Sequence, residues 1–231
     1  MEKRLQQVGD VERPQHYFLE PAHRCYFWGE YTPWEHTGGR KWDYSETNQL
    51  ISNFKKSMDR QGKDDWWRKQ AAIDRVSLAF AQFWKWQILH QRGVILVPLP
   101  PSKRADDPLH DDRMSKLVHG IRSASGIDLD VRELLVSDGS IPASHTAAQR
   151  PSPQQIYESL SIHPGEAAKA APNLIYLFDD VLTSGAHFVA SVRRLREIFP
   201  DQPIVGNFVA RCTRPDPQVQ PEALQGDAEA I

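Results

Sequence analysis

Three largely apolar runs constrain this chain most: VILVPL at 94–99, LIYLF at 174–178 and IVGNFVA at 204–210, the last broken only by Asn207. None alternates with polar residues, so each reads as a strand covered on both faces. Helical patterns lie between them. Residues 114–123 form a short one, followed by Gly126. Residues 185–199 form another, with Val189, Val192, Leu195 and Ile198 on one side. Residues 131–136 offer one further strand. Strands separated by helices are joined by crossovers, which make neighbours parallel. The expected fold class is α/β: a mostly parallel sheet flanked by helices.

Upstream the composition changes. All seven tryptophans lie within the first 86 residues. Residues 24–48 mix aromatics with Pro33, Gly38 and Gly39, which suggests short strands or turns. From 64 to 91 the pattern is helical, with Ile73, Val76, Phe80, Phe83 and Gln87 at three- and four-residue steps, and Arg92-Gly93 closes it. We divide the chain into an aromatic-rich N-terminal elaboration (1–93), a core (94–212) and a Pro-rich polar segment (213–231) expected to be a flexible tail. A length of 231 residues suits one large domain.

Charge and cysteines exclude several classes. Lys and Arg number 28 against 30 Asp and Glu, so no overall field draws the chain to nucleic acid or an anionic membrane. Cys25 and Cys212 are the only cysteines. No cysteine zinc ribbon can form within one chain, and the pair reads as two reduced thiols rather than a disulfide. The charged N-terminus is not a secretory signal, and no apolar run is long enough for a bilayer. The expectation is a soluble, cytoplasmic protein.

Chemistry concentrates in LIYLFDDVLTSGAHF at 174–188. An apolar strand runs into two carboxylates, Asp179 and Asp180. A small, hydroxyl-bearing turn follows, and then a helix. Ligands of open α/β sheets bind at the carboxyl ends of strands. A small-residue turn opening a helix offers free N–H groups and the positive end of the helix dipole to a phosphate. Two acids beside it suit the 2- and 3-hydroxyls of a ribose 5-phosphate.

This segment resembles the phosphoribosyl-pyrophosphate (PRPP) motif of type I phosphoribosyltransferases, and the chain is similar to their ComF-like branch. The resemblance implies that Asp179 and Asp180 hold the ribose and support catalysis. It implies that Thr183, Ser184, Gly185, Ala186 and His187 bind the 5-phosphate, His187 standing where the family has Thr or Ser. VILVPLPPSKR at 94–104 looks like the family's first strand and diphosphate loop, so Ser102, Lys103 and Arg104 would face the diphosphate, joined by Arg113. Arg150 matches a basic position of a ComF stretch and would belong to a lid, although a lone loop arginine reads more simply as solvated. NFVARC at 207–212 resembles the final strand, and 44–57 is faintly similar to the segment before the family's core. The implied activity is transfer of the 5-phosphoribosyl group from PRPP to a nitrogenous base or amine, with pyrophosphate leaving and Mg2+ carried by the diphosphate. The alternative is an accessory protein that senses PRPP or handles nucleic acid without turnover. The missing zinc ribbon separates this chain from the usual ComF pattern. The acceptor is not legible, and a homodimer is left open.

Three weaker patterns have plainer readings. Asp106, Asp107, His110, Asp111 and Asp112 resemble a metal cluster but read better as a solvated acidic loop. His23, Cys25 and His36 form a thin zinc set. Trp66, Trp67, Arg68 and Lys69, after Lys55 and Lys56, could grip single-stranded nucleic acid. A helix burying one Trp and exposing its basic residues explains them as well.

Overall fold

The computed structural model describes residues 4–141 and 151–214. In chain order the strands and α-helices are β1 (Gln6–Gln7), β2 (Arg24–Tyr31), α1 (Glu46–Phe54), α2 (Trp67–Phe83), α3 (Trp86–Gln91), β3 (Val94–Pro98), α4 (Arg113–Ser125), β4 (Asp130–Val131), β5 (Leu135–Ser137), α5 (Pro153–Ser159), β6 (Leu160–Ile162), α6 (Pro164–Ala167), β7 (Leu174–Leu182), α7 (Ala186–Arg196) and β8 (Ile204–Cys212). Six strands form one sheet in the order β1-β2-β8-β7-β3-β4, and β5 pairs with β6 in a separate antiparallel ribbon. All pairings in the main sheet are parallel except that of β1, the antiparallel edge. The structure is thus mixed α/β with a mostly parallel sheet flanked by helices.

Both faces of the sheet are covered, as the apolar runs require. Leu96, Tyr176, Phe178 and Val205 pack with Phe54, Ile73, Val76, Phe80, Leu117 and Ile121, so α1, α2 and α4 cover one face. Ile95, Val97, Ile175, Leu177 and Phe208 pack with Phe188 and Leu195 of α7 on the other. Alternate residues of a strand face opposite ways. This periodicity decides the chemistry at the end of β7.

Residues before 94 belong to the same sheet. β2 lies beside β8, with Cys25 opposite Gly206 and Tyr31 opposite Cys212. The change at residue 94 is therefore one of composition, since packing crosses it. Much of the aromatic block is core: Trp28 and Trp86 are buried, Phe80 meets Phe178 edge-on, and Trp84 and Trp86 both meet Tyr176. Cys25 and Cys212 are buried, form no disulfide, and pack in the cores on opposite faces of the sheet.

Several expectations are corrected. The single helix over 64–91 is two, because Trp84 is extended (φ −113°, ψ 151°). Its indole N–H donates to Asn207 Oδ1 at 3.0 Å, and the Trp86 indole donates to the Phe80 carbonyl at 3.0 Å. Tertiary anchoring of two indoles outweighs the helical pattern. The strand over 131–136 is also two pieces, β4 in the main sheet and β5 in the ribbon. The turns and short strands expected over 24–48 contain the eight-residue β2. The first two residues of the expected tail are held: the Thr213 amide donates to the Tyr31 carbonyl at 2.8 Å, and Arg214 exchanges two hydrogen bonds with Gln15. Residues 215–231 of that tail lie outside the described residues. Among the described residues no helix is long and apolar enough to cross a membrane.

Candidate functional site

β7 creates the site by outrunning its neighbour. On one side β3 pairs with it only as far as Phe178; on the other, β8 stays paired through Leu182. Asp179 and Asp180 therefore lie inside the strand, past the point where β3 leaves. Being adjacent, they point to opposite faces.

Asp179 faces α7. Its Oδ2 lies 3.2 Å from His187 Nδ1, and its Oδ1 accepts the Asp180 amide at 2.8 Å. A carboxylate only accepts, so this contact puts the ring proton on Nδ1 and leaves Nε2 as the outward nitrogen. The side chains are 14% and 36% exposed, so the pair is reachable. Among the described residues no side chain caps α7; Gly185 stands at the cap with φ 88°. Only a 3.4 Å contact to Ser184 Oγ engages the Ala186 amide, and the amides of His187 and Phe188 precede the first intrahelical bond, Val189 to Gly185. The helix thus presents donors and positive potential beside Asp179.

The turn 183–185 is held from behind by residues 16–19. His16 Nδ1 bonds the Thr183 carbonyl, the Phe18 amide donates to the Ser184 carbonyl at 3.0 Å, and Leu19 fills the space a Gly185 Cβ would take, 2.9 Å away. In a trans peptide C=O and N–H point opposite ways, so tying back two carbonyls turns the next two amides toward the free side. Gly185 is needed for its left-handed backbone and because Leu19 occupies the space a Cβ would take. Ser184, Gly185 and Ala186 are buried; Thr183 and His187 reach the surface. His16 is fully buried, and burial lowers its pKa.

Asp180 faces the opposite way and is 5% exposed. Its Oδ1 accepts from Lys55 Nζ at 3.1 Å and the Val181 amide at 2.7 Å; its Oδ2 accepts from Nε (3.0 Å) and Nη2 of Arg113. Arg113 continues to Asp111 Oδ2 at 2.7 Å, which also receives Lys69 Nζ at 2.8 Å. Burial works against the charge on Asp180. Lys55 and Arg113 outweigh it and hold the carboxyl well below the ordinary carboxylate range. Burial likewise opposes the charge on Arg113, and Asp180 and Asp111 outweigh it in turn.

The expected site residues therefore fall into three groups. Asp179 and His187 meet at the open end of α7, with Thr183 in the turn before it. Asp180 and Arg113 form an ion pair on the other face. Lys103 and Arg104 lie in the loop after β3, exposed and paired within it, to Asp107 at 3.3 Å and Asp106 at 3.0 Å; half-buried Ser102 precedes them. Arg150 lies outside the described residues. Asp111 is engaged by Lys69 and Arg113, and His110 Nδ1 lies 3.0 Å from the carbonyls of Lys103 and Arg104. Burial pushes the Cys25 thiol up to about 12, so it stays protonated at neutral pH. Lys69, read as a basic residue exposed on its helix, is instead buried and also bonds the carbonyls of Phe54 and Lys56. Sequence reading missed Lys55, His16 and Leu19 as neighbours of the site. Only Lys55 had a signal, because Ser45 caps α1 and Leu50, Ile51 and Phe54 mark its buried face, which fixes where it ends. No protein-family model and no curated protein matches the chain.

Proposed function

We propose that this chain is a phosphoribosyltransferase of the type I, ComF-like kind, which binds PRPP and transfers its 5-phosphoribosyl group to a nitrogenous base or amine. The observation that carries the reading is Asp179, held by His187, beside the uncapped end of α7 at the carboxyl edge of a parallel sheet. A phosphate at that end meets amides and a helix dipole, and a sugar reaching back from it meets a carboxylate. Cations of Arg113, Lys103 and Arg104 follow β3, the next strand, where the diphosphate would extend.

In this reading the acceptor nitrogen bonds to the anomeric carbon, the bond from that carbon to the diphosphate oxygen breaks, and the electron pair leaves with pyrophosphate. The surplus proton of the acceptor passes to solvent. The 5-phosphate supplies remote binding energy that fixes the reacting carbon. Asp179 orients the ribose and faces the positive charge growing on the ring. Magnesium is part of the substrate, carried by the diphosphate. Among the described residues no group of three or more His, Cys, Asp or Glu would hold it unaided.

Calorimetry with Mg-PRPP tests the reading. The wild-type protein binds, and Asp179→Asn weakens binding about tenfold, the effect of a lost charge-assisted hydrogen bond. Pyrophosphate release with a panel of bases and amines then separates an enzyme from a protein that only senses PRPP. An Asp179→Asn variant with unchanged affinity would remove the ribose assignment.

A further inference from the structure

The two acids of the motif are not equivalent, and the difference identifies a site residue from the N-terminal region. Every acceptor position of Asp180 is filled: Lys55 and the Val181 amide take one oxygen, and Arg113 takes the other twice. A carboxylate with both oxygens satisfied and 5% exposure has no lone pair to offer a ribose hydroxyl. Its two cations, by contrast, keep donors in reserve. Lys55 uses one of three N–H groups here, and its side chain is 36% exposed. Arg113 uses three of its five, counting the bond to Asp111. Across the connected set, Lys55, Lys69 and Arg113 face Asp111 and Asp180, which leaves one positive charge in excess.

Resting on the reading above, we infer that Lys55 is a diphosphate-binding residue and that Asp180 is the positioning residue that holds Lys55 and Arg113 toward that anion. Asp180 keeps both cations charged and fixed before the ligand arrives, so their spare donors meet the diphosphate without reorganisation. Lys55 closes α1, so the aromatic-rich region supplies a group to the site as well as cover to the sheet.

The test is calorimetry with two probes, magnesium pyrophosphate and ribose 5-phosphate, on wild type, Lys55→Met, Lys55→Arg and Asp180→Asn. Lys55→Met weakens pyrophosphate about tenfold or more and leaves ribose 5-phosphate within about twofold; Lys55→Arg restores most of the loss. Asp180→Asn also weakens pyrophosphate and spares ribose 5-phosphate. Pyrophosphate binding unchanged in Lys55→Met, or ribose 5-phosphate lost in Asp180→Asn with pyrophosphate unchanged, overturns the inference while the reading above stands. A wild-type protein that binds neither probe overturns both. If Asp180→Asn does not fold, the two Lys55 variants decide.

Discussion

On the α7 side of β7, Asp179 meets one histidine, an uncapped helix and solvent; on the other side, one residue later, Asp180 is enclosed by a lysine, an arginine and its own backbone. The same residue type in consecutive positions thus receives opposite environments because a strand alternates its faces. On one face the nearest cover is a helix N-terminus, which attracts anions and leaves them reachable. On the other it is the junction of α1 with α4, where a carboxylate can be buried only by pairing it.

The comparison breaks most visibly in stability. Asp180→Asn leaves Lys55 and Arg113 facing a neutral amide in a buried place, and the expected loss is about 3–5 kcal/mol by urea denaturation. Asp179→Asn removes a half-open contact and is expected to lose about 1 kcal/mol or less. Equal losses would mean that the two sides of β7 do not differ as described. The pH response has a defined sign. Asp180 titrates below its unfolded value of about 3.9, so its contribution is complete above about pH 5 and disappears as the pH falls through the acid range.

A smaller effect is expected at the turn. Gly185→Ala places a Cβ 2.9 Å from Leu19 on a backbone with φ 88°. The expected cost is about 1–3 kcal/mol, from overpacking and left-handed strain together. Gly185→Ala should cost less in a Leu19→Ala background than in the wild type, the difference being the steric part. An equal cost of Gly185→Ala in the two backgrounds would show that the turn does not rest on Leu19.

How far the sequence disclosed this depends on what each feature rests on. β3, β7 and β8 were legible because burial on both faces leaves largely apolar runs, and α4 and α7 because their periodicity is local. β2 was not. Pro33 and the paired glycines after it, Gly38 and Gly39, read as turns, and nothing local tells a parallel neighbour from an isolated strand. The break at Trp84 was hidden because its cause, Asn207, lies 123 residues away. The strand, acid pair, turn and helix were all visible as a motif. The divergence of its two acids follows from the period of two, which the residues contain. What fills each side is long-range: Lys55 reaches Asp180 across 125 residues, and His16 reaches Thr183 across 167.

The gentlest prediction concerns His16, the buried group behind the turn. Its Nδ1 bonds the Thr183 carbonyl, and its Nε2 is buried without a hydrogen-bond partner among the described residues. His16→Phe removes a bond that contributes about 1 kcal/mol and also an unsatisfied nitrogen that costs about as much, so stability at pH 7.5 should change by about 1 kcal/mol or less. The pH dependence should change more clearly. Burial lowers the pKa of His16 and of His23, so their neutral forms stabilise the fold above the ordinary imidazole value of about 6.5, and that contribution is lost as the pH falls below it. Urea midpoints at pH 7.5 and 5.5 should therefore separate in the wild type and lie closer together in His16→Phe, where only His23 remains. Across that interval Asp180 stays ionised, so the first acid weakening belongs to the side of the sheet that carries Asp179 and the turn. An unchanged separation in His16→Phe would move that early loss away from the turn and leave the two sides of β7 failing together at lower pH.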